Sequence, residues 1–167
     1  MLEYLPEFID PLALVDKRRR FKGVLPLATM PRLQDTLLTS AGEAKFELNF
    51  SKEGRIAAVL GGIEAELELQ CQCCLEPIRL RLSNAVRLGI VRSIAEADLL
   101  PESFEPLLLE EETVRLADIV QDELLLAIPL IPQHTQCKRS LTEAGKPGGE
   151  RENPFAALAD FKKLSLQ

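Results

Sequence analysis

The sequence predicts an α+β fold: an antiparallel β-sheet, or a partly closed barrel-like sheet, packed with a few short helices. Three observations carry that prediction. Apolar and polar residues alternate with period two through most of residues 45–90, the pattern of half-buried strands. Opposite charges on two of these segments line up when the segments are folded back as a hairpin. A stretch with helical spacing, Leu116 to Ile128, follows and ends at Pro129 and Pro132. The alternation argues against a parallel, doubly wound sheet, whose strands are usually continuous apolar runs.

In chain order, Asp10-Pro11 reads as a helix start, because an aspartate caps free backbone amides and proline suits the first helical position. Leu12, Val15 and the basic run behind them are expected on that helix. Phe21 to Leu25 is expected to be a brief strand, and Met30-Pro31 to Leu38 a second short helix. Phe46, Leu48 and Phe50 then alternate with Lys45, Glu47, Asn49 and Ser51. Gly54 supplies a turn into a more uniformly apolar strand, Arg55 to Leu60. Ile63, Ala65, Leu67 and Leu69 form the next strand face, and Ile78, Leu80 and Leu82 continue in phase through Val86, Leu88 and Ile90.

The last two strands fix a register. Paired as an antiparallel hairpin with Cys71 to Glu76 in the loop, Glu68 faces Arg79 and Glu66 faces Arg81, while Leu69 meets Ile78 and Leu67 meets Leu80 on the other side. Burial of the apolar face sets that register. The charge pairs add a few tenths of a kcal/mol each, up to about 1. Beyond the hairpin, residues 101–112 read as an acidic connector. Leu125, Leu126, Ala127 and Ile128 make the end of the following helix apolar on most sides, so that end is expected to be buried. Residues 1–137 are therefore expected to form a single α+β domain. Residues 138–152, with Gly145, Pro147, Gly148 and Gly149, read as a flexible linker, and residues 153–167 as a C-terminal helical tail starting at Asn153-Pro154.

Composition narrows the function. The chain has 167 residues, 46% hydrophobic and 28% charged, with aromatics at 5% and no tryptophan. That leaves few platforms for stacking single-stranded bases. The net charge of -6 argues against nonspecific binding of nucleic acid through phosphates alone. Lys17, Arg18, Arg19, Arg20 and Lys22 form a basic run, whereas Glu96 to Glu123 holds ten acidic residues opposed only by Arg115. Such a dipolar surface steers partners by charge. The absence of a membrane-spanning stretch or a basic N-terminal leader predicts a cytoplasmic location.

The chemistry-bearing residues are the cysteines. Cys71 and Cys74 have the C-x-x-C spacing at which one tight turn offers two thiolates to a metal, and His134 and Cys137 form a second pair at ligand-like spacing. Two plus two gives the four ligands of a closed tetrahedral zinc site. The alternative is a set of reduced thiols, with Cys71 packed in a strand and His134 on a loop. Cys73 stands in for either neighbour or is free. Redox work of the thioredoxin kind is disfavoured, because a β-hairpin and not a βαβ unit surrounds the motif. No phosphate-binding loop, dinucleotide fingerprint or H-E-x-x-H is present. Arg18, Arg19, Arg20 and Lys22 are either a solvated face or a contact for RNA or an acidic protein. Asp118 with Asp122 reads as a solvated face.

Three segments together resemble a known family. Cys71-Gln72-Cys73-Cys74-Leu75-Glu76-Pro77, the run from Asp118 to His134, and Asn153-Pro154-Phe155-Ala156-Ala157-Leu158 are similar in order and spacing to motifs of the YceD family, the large ribosomal RNA subunit accumulation proteins. The resemblance implies a role in synthesis, processing or stability of 23S rRNA, in ribosome biogenesis, and a metal-binding character. Cys71 and Cys74 carry over. Cys73 stands where the family commonly has a basic residue. The expectation is a non-enzymatic factor that binds a ribosome assembly factor, a ribosomal protein or rRNA and holds a structural zinc. A zinc-binding or thiol-dependent enzyme of nucleic-acid metabolism is the alternative.

Overall fold

The computed structural model describes residues 5–137. The expected linker and C-terminal helical tail lie outside the described residues. Strand β1 (Phe8–Ile9) leads into helix α1 (Pro11–Asp16), whose start is as read: the Asp10 carboxylate accepts from the Ala13 N–H at 2.9 Å, and Pro11 occupies the first turn. The basic run does not continue on this helix. Lys17 caps it, Arg18 takes a left-handed backbone at φ 47°, and the chain turns into strand β2 (Arg20–Pro26). The Arg19 N–H donating to the Leu14 carbonyl at 3.0 Å and the Arg18 N–H to the Val15 carbonyl at 3.1 Å close that turn, the bond pair that ends a helix at a left-handed residue.

A 3-10 turn over Leu27–Thr29 precedes helix α2 (Pro31–Gln34), which is shorter than expected because the chain turns again through Asp35 and Thr36. Strands β3 (Glu43–Glu53) and β4 (Ile56–Gln70) are joined by a two-residue turn in which Gly54 has φ 64°. The sequence divided β4 into two strands, and the structure makes it one of 15 residues. Gly61 explains how. A Cβ there would lie 1.8 Å from the Glu47 carbonyl oxygen, so the strand runs unbroken past β3 only because the position has no side chain. Strand β5 (Pro77–Val91), also 15 residues, pairs with β4 in the predicted register: Glu68 opposite Arg79, Glu66 opposite Arg81, Leu69 opposite Ile78, Leu67 opposite Leu80.

Helix α3 (Ile94–Ala97) follows, capped by the Ser93 hydroxyl, which accepts from the Glu96 N–H at 3.2 Å. The acidic connector is not featureless. It contains strand β6 (Glu105–Leu108), which adds to β5 in parallel. Strand β7 (Val114–Arg115) pairs with β1, and helix α4 (Leu116–Ala127) completes the described elements. The main sheet is open, in the order β2-β3-β4-β5-β6, with antiparallel neighbours except at β6. The fold class is α+β as predicted, and the barrel-like closure does not occur.

One face of the sheet carries the core. Phe46, Leu48, Phe50, Ile63, Leu67, Leu69, Val86 and Leu88 are buried there, joined by Val15 of α1, Leu33 of α2 and Leu116, Val120 and Leu124 of α4. Phe21 meets Phe50 edge to face at 5.9 Å, one of the few aromatic contacts this aliphatic core has. Helix α4 buries Leu116, Ala117, Ile119, Val120, Gln121, Glu123 and Leu124. Its last turn departs from expectation: Leu125 is half-buried and Leu126 is 71% exposed. At about 100° per residue, four consecutive apolar side chains cannot all face one sheet, and Leu126 lies about 200° from Leu124. The helix ends where the residue before Pro129 must be extended, and Ile128 is, at φ -68° and ψ 126°.

Candidate metal centre

The long hairpin carries its cysteines beyond β3. Partners of β3 on β4 stop at Ala65, so Glu66 to Gln70 and Pro77 to Arg81 pair only with each other within the sheet. The tip between them is a tight loop. The Cys71 N–H donates to the Glu76 carbonyl and the Leu75 N–H to the Cys71 carbonyl, both at 2.9 Å. Leu75, at φ 66°, makes the reversal and leaves its side chain 64% exposed. This loop turns the Cys71 and Cys74 side chains to one side. The exit of α4 arrives on that side: the Gln72 N–H donates to the Pro132 carbonyl at 2.8 Å, which brings His134 and Cys137 against the tip.

The four residues named from sequence spacing are thereby together. The ligand atoms of Cys71, Cys74, His134 and Cys137 all lie within 4.8 Å of one another, and the group could hold a metal ion. Cys71 Sγ is 3.8 Å from Cys137 Sγ, and Cys74 Sγ is 3.5 Å from His134 Nδ1. A tetrahedral ion with Zn–S near 2.3 Å and Zn–N near 2.0–2.1 Å separates two sulfurs by about 3.8 Å, and sulfur from nitrogen by about 3.5 Å. These two separations match such an ion. Cys71 is fully buried, and the other three are partly exposed.

Electrostatics separates the thiols. Burial disfavours the Cys71 thiolate, but the backbone N–H groups of Cys74, Cys73 and His134 and the Cys74 thiol outweigh it and bring its pKa down to about 6. Cys137 is shifted the other way, first by its hydrogen bond with the Cys73 thiol, then by burial and by the Cys74 and Cys71 thiols around it. The Cys71 thiolate therefore forms readily, and a cation beside it would favour ionisation of Cys137. Cys73 stays outside the four. Its Sγ lies 4.0 Å from the Cys137 carbonyl oxygen, packed against the site.

The basic run is brought to one corner of the sheet but is not a single patch. Arg18, Arg19, Arg20 and Lys22 are all exposed. Arg20 and Lys22 share one carboxylate, Glu47, at 2.5 and 3.9 Å, which lowers the Glu47 pKa, mainly through the Arg20 hydrogen bond. Arg18 and Arg19 have no carboxylate within 4.0 Å among the described residues.

Sequence reasoning missed a buried carboxylate. Glu123, which follows the Asp118 and Asp122 face read as solvated, is 4% exposed and accepts from the Asn84 side-chain amide at 2.9 Å. Burial raises its pKa, and Glu105 and Asp122 raise it further. Its neighbour Gln121 is fully buried, accepts the Arg32 N–H at 3.0 Å, and leaves its own amide nitrogen without a partner. The signal was in β5: Asn84 occupies the inward phase set by Leu82 and Val86, and an inward polar residue requires a partner. Asp122 is half exposed and ion-paired to Arg32, while Asp118 pairs with Arg115.

No helix among the described residues is long and apolar enough to cross a membrane. No solved structure matches the chain. A family model described as "Large ribosomal RNA subunit accumulation protein YceD" matches residues 59–162, which includes most of β4, the cysteine tip, β5 and α4. The "Large ribosomal RNA subunit accumulation protein YceD" of Haemophilus influenzae is 30% identical over 168 residues, covering 95% of this chain and 97% of that protein. With the cysteine-tipped hairpin and the proline-rich exit of α4 both inside the matched region, the chain belongs to the YceD family of large ribosomal RNA subunit accumulation proteins.

Proposed function

We propose that the chain is a non-catalytic cytoplasmic factor that supports synthesis, processing or stability of large-subunit rRNA by binding, and that it carries one structural zinc ion. Family membership is the observation that carries the role, through the name of the Haemophilus influenzae relative. The zinc assignment rests on the donor set. Three thiols and one imidazole within 4.8 Å of one another, two pairs of them at tetrahedral separations, suit zinc, and four protein ligands leave no open position for a substrate or an activated water. The ion, when bound, supplies a fastening of the hairpin tip to the α4 exit. The chain's own part is to present Cys71 and Cys74 from one turn and to hold His134 and Cys137 against it through the Gln72–Pro132 hydrogen bond.

The net charge of -6 favours a protein partner, a ribosomal protein or another assembly factor, over naked RNA. Arg18, Arg19, Arg20 and Lys22 are the residues assigned to any rRNA contact, with Arg18 and Arg19 the two not engaged by Glu47. Residues 138–152 are proposed as a linker carrying the 153–167 tail. The test of the role is genetic. Deleting the chromosomal copy is expected to lower the ratio of 23S to 16S rRNA, and restoring the wild-type chain is expected to recover it. An unchanged ratio in the deletion strain contradicts the proposed role.

A further inference from the structure

Between α4 and the edge strand β6 lies an open cleft of about 500 Å³. Leu88, Leu107 and Leu126 give it an apolar lining, and Glu105, Asp122 and Glu123 set three carboxylates into it. The one cation beside them, Arg32, is committed to Asp122. Glu123 is 4% exposed, and Asn84 engages only one of its two carboxylate oxygens. Two carboxylates, Glu105 and Glu123, are thus held at an apolar cleft without a cation among the described residues. A buried carboxylate ordinarily has a pairing partner, and here its place is open to the cleft.

The surroundings say what kind of partner fits. β6 is the last strand of the sheet, hydrogen-bonded on one side to β5 and unpaired on the other among the described residues. Leu126, 71% exposed, and Leu108, 41% exposed, stand beside the cleft and the open edge. The three carboxylates repel phosphate, so RNA is disfavoured here. A second copy of this chain is disfavoured too, because it would bring the same acidic cleft, on a chain of net charge -6, against itself.

We propose that this cleft docks a basic, leucine-flanked segment of a protein partner, placing an arginine or lysine between Glu105 and Glu123 and aliphatic side chains on Leu107 and Leu126. This deepens the reading of the chain as a binding factor in rRNA accumulation, and rests on it for the partner's biological role.

The test uses the full-length chain and a labelled short peptide of alternating leucine and arginine, followed by fluorescence anisotropy. Its control is the same peptide with glutamate in place of arginine. The arginine peptide is expected to bind and the glutamate peptide not to. Glu105→Gln with Glu123→Gln is expected to weaken binding about tenfold or more, and Leu126→Ser several-fold. Replacing Glu110, Glu111 and Glu112 by glutamine, away from the cleft, is expected to change affinity less than twofold. A melting temperature of the double glutamine variant no lower than that of the wild type establishes that it folds. Equal binding by that variant, or an equal loss from the distal glutamine substitutions, overturns the proposal. So does displacement of the peptide by a single-stranded RNA oligonucleotide that the double variant binds equally well. In the deletion strain, full recovery of rRNA by the double variant also overturns the cleft while leaving the proposed role intact. No rRNA change on deletion removes the role while leaving the peptide result standing.

Discussion

Cys71 and Cys73 are two positions apart in one turn, yet of the two only Cys71 is among the four clustered candidate ligands and fully buried. Cys71→Ser is expected to abolish stoichiometric metal, whereas Cys73→Ser keeps it, as read by metal analysis beside thiol titration. The spacing of two pairs was enough to name Cys71, Cys74, His134 and Cys137. It could not decide about Cys73, because that depends on which way a six-residue loop turns its side chains. Glu123 was not legible from its own helix, since a glutamate among acidic residues looks solvated; the signal lay in the inward-phased Asn84 of β5. The raised pKa of Glu123 has a signed consequence. As pH rises from the ordinary carboxyl value of 4.5 through the higher folded value, the native state holds the proton that the unfolded state has lost, so stability falls with pH. Glu123→Gln, which keeps the acceptor for Asn84, is expected to raise the melting temperature near neutral pH and to lose that advantage below about pH 4.5.

The β4–β5 hairpin was read to the residue because two constraints coincide in it: an apolar face that permits one register and charges that agree with it. Where only one constraint acted, the reading was coarser. Two adjacent glycines made β4 look broken, although they differ in what they do. A Cβ at Gly61 meets the Glu47 carbonyl oxygen at 1.8 Å, while at Gly62 the nearest atom is 3.5 Å away. Gly61→Ala is therefore expected to cost about 1–3 kcal/mol or more, and Gly62→Ala much less, by urea unfolding. β6 escaped because four residues containing a proline, in an acidic stretch, have no alternation to detect. The exposed end of α4 was misread for the opposite reason. Its apolar residues were visible, but which of them face the sheet depends on where the sheet ends.

At the scale of the whole chain, the cluster joins segments that are far apart in sequence, a hairpin tip and the residues after α4. Folding brings them together through the core and the Gln72–Pro132 hydrogen bond, and a bound ion would lock what the core has positioned. Chelation is accordingly expected to be a local event. Amide exchange at Gln72 is expected to accelerate by an order of magnitude or more, while amides of Leu67 and Leu80, inside the paired strands, keep their protection. The β4–β5 pairing does not need the ion, and its register followed from strand phase; the strand order, β6 and the exposed end of α4 did not. Whether the four donors meet is a property of the assembled fold that no local pattern contains.

The central claim is that these four side chains form a closed zinc centre. It is tested most directly by metal analysis of the full-length chain purified without chelator, beside Cys71→Ser. One zinc per chain, lost in the variant while Cys73→Ser retains it, is the result expected. Wild-type protein without stoichiometric metal, or with metal that survives Cys71→Ser, would contradict the account.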